Sequence, residues 1–458
     1  MRQPSRDSDS ENDVEGLFPD FTEDPRPRPE TGGLASAPPA PRLRQAVREQ
    51  VLLRPVHLDG LVSQDHQVRA IWAYVEELDL TALYEPIKAV DGHSGRAATD
   101  PKIFLALWMY ATLQGVGSAR ALERLCDEHV AYQWLCGGVG VNYHTLADFR
   151  VQHENALNAL LSQGVAVLMV QGLVTLDRVA QDGVRVRASA GASSFRRGPT
   201  LRRCLKEAVQ QVRTLRKELE EDPGATQRRQ QAARQRAGTE RLQRVRAALR
   251  RLPELAAKKK PKEKQAARVS TTDPEATVMK MADGGFRPAY NVQLATDTAT
   301  QVIVGVDVST SGSDQGQMAP MVDQLVTRYD TAPREMLVDG GFTKKEDIER
   351  LAQADRNCVV FAPVAMPRVE GIDQFLPKPG DSEVIAAWRR RMATDGAKVI
   401  YKQRAATAEC VNALARNRGL YQFPVRGQRK VRAIALLFAL AHNFMRTVAL
   451  RTLAVQPA

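Results

Sequence analysis

Cysteine is scarce in these 458 residues: Cys126, Cys136, Cys204, Cys358 and Cys410 are scattered, with no C-x-x-C pair among them. That spacing excludes a disulfide scaffold and predicts a reducing, intracellular compartment. The seven histidines, His57, His66, His93, His129, His144, His153 and His442, show no H-x-x-x-H spacing, so no zinc site is predicted. Met1 is followed by polar residues and not by the apolar core of a secretion signal. Nor does an apolar run reach the roughly 18 residues that span a bilayer. The longest, near Ala433–Ala441, is too short, so no membrane association is expected.

Positive charge, by contrast, is abundant and concentrated. The net charge is +12 with a sequence pI near 9.6. Residues 200–269 hold 21 Lys or Arg against 8 Asp or Glu, a local excess of 13 that exceeds the total for the whole chain. A polyanionic partner is favoured, and one segment carries the attraction. Within it Leu201, Leu205, Val209, Val212, Leu215 and Leu219 follow a helical stripe, Asp222-Pro223-Gly224 turns the chain, and Leu242, Val245, Leu249 and Leu252 make a second stripe. An antiparallel helical hairpin is predicted over 197–269, followed within it by a flexible basic run, Lys258-Lys259-Lys260-Pro261-Lys262. A solvated insertion is the bland alternative; too few acids balance the arginines for that, and a phosphate-backbone surface is preferred.

The chain is long enough for two or three units. Residues 1–40 mix Asp, Glu, Ser, Pro and Gly with few large apolar groups, which predicts a disordered tail. Over 41–160 the apolar spacing is helical: Ile71, Trp72, Val75 and Leu78, then Ile103, Phe104, Leu107, Trp108 and Ala111 after the helix-starting Asp100-Pro101. Ser118 and either Asn142 or Thr145 are candidate caps for further helices. Short helices around glycine turns can form a DNA reader or simply a helical packing domain, and Tyr132 and Trp134 can stack on bases or fill a core.

Beyond Leu173 the period shifts toward two. Runs around Val179–Val186, Tyr290–Leu294, Gln301–Val306, Met336–Val338 and Cys358–Phe361 read as strands, and a helix is predicted from Thr343 with Lys344–Asp347 solvated. Strands mixed with helices over 161–458 imply an α/β sheet domain, interrupted by the basic hairpin and preceded by an all-α region.

Three acids stand out against this frame. Asp182 and Asp339 lie in or at the end of apolar strand patterns, and Glu409 lies in an alanine-rich helix. Hard oxygen ligands from several rigid elements suit two Mg²⁺ ions about 4 Å apart, an arrangement that clamps both the attacking and the leaving oxygens of a phosphodiester. Asp307 and Asp314 are weaker candidates, better explained as turn caps. In the third segment Tyr401 and Arg404 are three apart and Glu409 is five further on, so a regular α-helix does not bring all of them onto one narrow face.

In its motifs the chain resembles bacterial insertion-sequence transposases of the DDE type, in the subgroup with an N-terminal helical domain and a Y-x-x-R…E motif. Asp182-Gly183-Val184-Arg185 is similar to the strand that carries the first acid, Asp339-Gly340-Gly341-Phe342 to the second, and Tyr401, Arg404 and Glu409 to the third. Segments at Ser270–Ala276, Met281–Phe286, Tyr290–Gln293, Asp314–Met318, Gly427–Arg432 and Ala441–Asn443 agree. Two departures are Arg416, where Lys is usual, and Val184, where Thr is common; Arg keeps the charge but is a planar fork.

The resemblance implies a ribonuclease-H-like catalytic domain and catalytic, metal-holding roles for Asp182, Asp339 and Glu409. Tyr401, Arg404 and Arg416 would contact DNA, and Mg²⁺, replaceable by Mn²⁺, would be the cofactor. It further implies binding of terminal inverted repeats, end cleavage and joining to target DNA, a homodimer in the synaptic complex, and a cytoplasmic, nucleoid-associated protein. A DNA-binding repressor that has lost catalysis is the alternative.

Overall fold

The computed structural model describes residues 57–89, 97–221, 228–367 and 371–455, together with Glu49, Val51 and Pro55. The expected disordered tail and the turn at Asp222-Pro223-Gly224 lie outside the described residues. The chain from Val56 to Ala458 forms one compact unit.

Seven helices open it: α1 (Gln67–Glu76), α2 (Thr81–Tyr84), α3 (Pro101–Leu113), α4 (Ala119–Glu128), α5 (Val130–Cys136), α6 (Tyr143–Gln152) and α7 (Glu154–Val170). Their starts are written in local chemistry. Asp100 accepts from Lys102 N with Pro101 at the first helical position, Ser118 accepts from Ala121 N, and Asn142 accepts from Thr145 N. Each satisfies an amide that the helix itself leaves without a partner. Tyr132 is buried, and Trp134 packs edge-on to Trp72 under the Arg69 guanidinium, so both belong to the packing of this region.

The sheet follows. Strand β1 (Arg178–Arg187) runs antiparallel to β5 (Phe286–Asp297) on one side and parallel to β7 (Glu335–Leu337) on the other; β8 (Val359–Phe361) adds a parallel edge to β7. At its far side β5 pairs antiparallel with both β4 (Thr277–Lys280) and β6 (Ile303–Ser309), which take successive stretches of it. Nearly all of β5 is buried, as suits a strand covered on both faces. One core joins Val184, Val186, Tyr290 and Val292 of the sheet to the first helices and to α15 (Gln428–Val455). The other joins Val179, Val304, Met336 and Val360 to α10 (Met318–Tyr329), α11 (Lys345–Leu351) and α12 (Glu383–Ala393).

Several expectations change. The boundary expected at residue 160 falls inside α7, and the helices before it share a core with the sheet. The reason is α15, which packs against α3, α6, α7 and β6 together. Asn443 on α15 accepts from Ile303 N and donates to Ile303 O, both at 2.8 Å, completing backbone bonds that would otherwise be buried and unmade. By length and composition Gln428–Thr452 also passes as a membrane span, contrary to the run-length argument; two-thirds of its apolar window, 67%, is buried inside the protein, as in a core helix. Scattered Arg and His residues broke the run in the sequence without lowering its mean hydropathy below that of a span. Asp347, expected to be solvated, is buried. The helix after Thr343 begins at Lys345.

The basic segment is a helical pair, α8 (Gly198–Glu221) and α9 (Arg228–Ala257), closed at its base where β2 (Phe195–Arg196) pairs with β3 (Val269–Ser270). Leu201, Ala248 and Val269 make a small core at that base, and Ala208, Val212 and Leu242 a second one further along. Of the run Lys258–Lys262 expected to be flexible, the last two residues open a 3₁₀ helix, Pro261–Ala266, and Lys258–Lys260 are irregular.

Candidate active site

Register places the first two acids. Ala180 pairs with Leu337 across the parallel β1–β7 ladder, so Asp182, two residues further along β1, lies beside the point where the chain leaves β7 for Asp339. The ladder stops at Leu337, and the chain turns at Asp339, which caps a short 3₁₀ helix by accepting from Gly341 N at 2.8 Å. Glu409 comes from the opposite direction, on the helical stretch α13 (Asp395–Arg404) and α14 (Cys410–Asn417), whose junction packs on β1 and β5.

That junction is a π-helix, Ala405–Glu409. A turn of i→i+5 bonding aligns residues five apart. Arg404 Nη2 therefore donates to Glu409 Oε1 at 2.8 Å, a pairing that α-helical spacing disfavours. The wider turn is supported from outside by Gln301, whose Nε2 donates to Ala406 O at 3.2 Å, and from within by Thr407, whose Oγ1 donates to Gln403 O at 2.7 Å.

The same guanidinium reaches Asp182, with Nη1 3.4 Å from Oδ2. Arg404 is only 12% exposed, while Glu409 is 55% exposed. Burial works against the Arg404 charge, but Asp182, Tyr401 and Asp339 together outweigh it and hold its pKa above the ordinary value. Burial pushes the Asp182 carboxyl up; Arg404 and the Gly183 amide counter it, and nearby Asp339 and Asp314 add to it. The Tyr401 hydroxyl is raised by burial, against the nearby positive charge of Arg404, which lowers it. Asp182, Tyr401, Arg404 and Glu409 thus meet, with Asp339 in electrostatic reach of Asp182, Tyr401 and Arg404.

Among the described residues no group of three His, Cys, Asp or Glu is gathered tightly enough to hold a metal ion as it stands. Arg404 lies between Asp182 and Glu409 instead. The donor chemistry nevertheless suits a hard cation: Asp182 and Glu409 already hold a positive charge between them, with Asp339 in electrostatic reach of it. Beside them stands Asn412, 5% exposed, whose Nδ2 donates to Asp182 Oδ2 at 3.0 Å while its buried Oδ1 has no hydrogen-bond partner among the described residues. Sequence reasoning missed Asn412, although its position one helical turn after Glu409 was a signal for it.

Asp314 was underrated as well. It accepts from Asn291 Nδ2 and Gln293 Nε2, both at 2.7 Å, and pairs with Arg185 at 3.4 Å. This cluster fills the space over Gly183. A Cβ there would overlap Asp314 Oδ1 and come within 2.6 Å of Gln293 Nε2 and 2.7 Å of Asn291 Oδ1, which is why glycine follows Asp182.

Arg416 stands apart from the carboxylates, two helical turns beyond Glu409. It lines a cleft of about 290 Å³ together with Gly183, Arg185, Arg187, Arg287 and Tyr421.

Residues 56–152 match the family model described as "Transposase domain (DUF772)", and residues 376–448 match that described as "Transposase DDE domain". No curated protein and no solved structure matches the chain. Tyr401, Arg404, Glu409 and Arg416 fall inside the second match; Asp182 and Asp339 lie between the two. With the helical transposase domain first and the DDE domain after it, the chain belongs to the insertion-sequence DDE transposases.

Proposed function

We propose that this transposase binds the terminal inverted repeats of its element, cleaves the DNA ends and joins them to a target, with Asp182, Asp339 and Glu409 as the catalytic carboxylates. The observation that carries the reading is Arg404, which ties Asp182 on a central strand to Glu409 on a helix from the other end of the fold. A ribonuclease-H-like fold accounts for the sheet: an antiparallel β6-β5-β1 meander extended by parallel β7 and β8, with acids where β1 and β7 lie side by side.

Transposases of this class generally use divalent metal. Asp182, Asp339 and Glu409 would hold two Mg²⁺ ions, or Mn²⁺ in their place, and Asn412 Oδ1 is a further donor. When bound, such a pair supplies Lewis acidity at the attacking and leaving oxygens of a phosphodiester. Arg404 and Tyr401 bind the phosphate next to the scissile bond, Arg404 through its planar fork. Asn412 and the Gly183 amide fix the Asp182 carboxylate so that its oxygens are already aimed. Arg416 and the basic helical pair α8–α9 contact the DNA backbone, and two copies of the chain synapse the two ends.

Purified protein with labelled end DNA and Mg²⁺ tests the reading. Asp182→Asn is expected to lower cleavage by about 10³-fold or more while end binding persists. Unchanged cleavage would refute the site; binding without cleavage by the unaltered protein would favour a repressor, and cleavage without strand-transfer products a nuclease.

A further inference from the structure

We propose that the cleft beside Asp182 is a subsite for one unpaired nucleotide at a DNA strand end, an inference that rests on the end-cleaving function above. The cleft opens at Gly183, the residue after Asp182, and has a volume of about 290 Å³. That is the low end of the range for small-ligand pockets, enough for one nucleotide and far too small for a duplex.

Its charge is one-sided. Arg185 and Arg187 enter from β1, Arg287 from β5 and Arg416 from α14, against a single lining carboxylate, Asp283. Asp283 is spent on Arg287, which reaches both its oxygens at 2.8 and 2.7 Å. Arg416 is exposed and has no ion pair among the described residues. Arg185 pairs with Asp314, so Arg187 and Arg416 are the lining cations without an ion pair among the described residues, and a phosphate would balance them.

An aromatic ring completes the set. Tyr421 is 58% exposed at the rim, with the Arg187 guanidinium 5.9 Å from its ring centroid. The backbone that carries the ring is tied to β1, because Arg187 N donates to Tyr421 O at 3.1 Å and Phe423 N donates to Arg187 O at 2.8 Å. Paired bases inside a duplex have both faces covered. An unpaired base offers a free face, and Tyr421 with Arg187 is the cation-backed platform on which such a base stacks.

The test uses the full chain in EDTA, so that no cleavage occurs, and fluorescence anisotropy with a short duplex of arbitrary sequence. The duplex is blunt, or carries a single-stranded overhang, or carries the same overhang without bases. We expect the normal overhang to bind about 5- to 10-fold more tightly than the other two. Tyr421→Ala should erase that preference and leave blunt-end affinity unchanged, and Tyr421→Phe should keep it. Equal affinity for all three DNAs, a preference that survives Tyr421→Ala, or its loss in Tyr421→Phe would overturn the stacking subsite. If the protein cleaves element ends but shows no overhang preference, only this inference fails. If the preference is present but ends are never cleaved, the proposed function fails and the subsite stands.

Discussion

Arg404 and Glu409 are five residues apart yet joined by a 2.8 Å hydrogen bond, because the helix between them makes a π turn. Five residues here do the geometric work of four in an α-helix. Deleting Ala406 is therefore expected to let an ordinary α-helix keep the pair, with cleavage within about 10-fold of the parent. Inserting one alanine at the same place rotates Glu409 by about 100° and should abolish cleavage. Comparable loss in both variants would mean that the π turn matters for something other than this pairing.

Asn412 holds Asp182 through one amide hydrogen bond and keeps a buried, unpartnered oxygen. Asn412→Ala should lower the turnover of cleavage about 10- to 100-fold with end affinity nearly unchanged. A variant whose defect lay entirely in DNA affinity would rule out positioning of Asp182 as its role.

Gly183 has no room for a side chain, since Asp314, Gln293 and Asn291 occupy the space above it. We expect Gly183→Ala to destabilise the fold by about 1–3 kcal/mol and to depress cleavage by displacing the strand that carries Asp182. Thermal melting and an end-cleavage assay read the two effects separately. An alanine variant that melts like the parent would contradict the crowding.

His442 supplies a pH test. Burial holds its pKa down to about 4, outweighing the hydrogen bond that Nε2 donates to Gln301 O, which raises it, so the folded state keeps the ring neutral. In the unfolded chain the ring takes up a proton near pH 6.5. The stability it contributes is thus complete above about pH 6.5 and is lost as pH falls toward 4, roughly 2 kcal/mol of it by pH 5. Asp182, Asp273, Asp297 and Asp347, all raised by burial, act in the opposite sense. The informative quantity is therefore the difference between parent and His442→Gln in urea unfolding at pH 7 and pH 5. Identical pH dependence in the two proteins would exclude His442 as an acid-sensitive element.

Much of this architecture was legible because it is locally encoded. Ser118 caps the helix it was expected to cap, Asp100-Pro101 starts one as expected, Asn142 proves the cap of the two candidates with Thr145, and the runs around Asp182, Tyr290, Ile303, Met336 and Val359 became strands. What escaped depends on residues distant in sequence. The π turn needs Gln301 to satisfy the Ala406 carbonyl, and Asp314 acquires its place only when β5 brings Asn291 and Gln293 to Gly183. The apolar character of α15 was hidden by interspersed Arg and His, and only packing shows that it unites the first helices with the sheet. Glu409 is where a sequence argument foundered, since regular α-helical geometry set it apart from Arg404.

The short β2–β3 pairing has a consequence for how this enzyme can vary. Because Phe195–Arg196 and Val269–Ser270 are hydrogen-bonded neighbours in a small sheet of their own, the chain enters and leaves the helical pair within one strand spacing, about 5 Å. Everything distal to that clasp is an appendage whose length the catalytic sheet does not sense. Relatives can thus gain or shed whole helical turns there, and a reporter domain can be grafted at the tip, without re-registering a single strand.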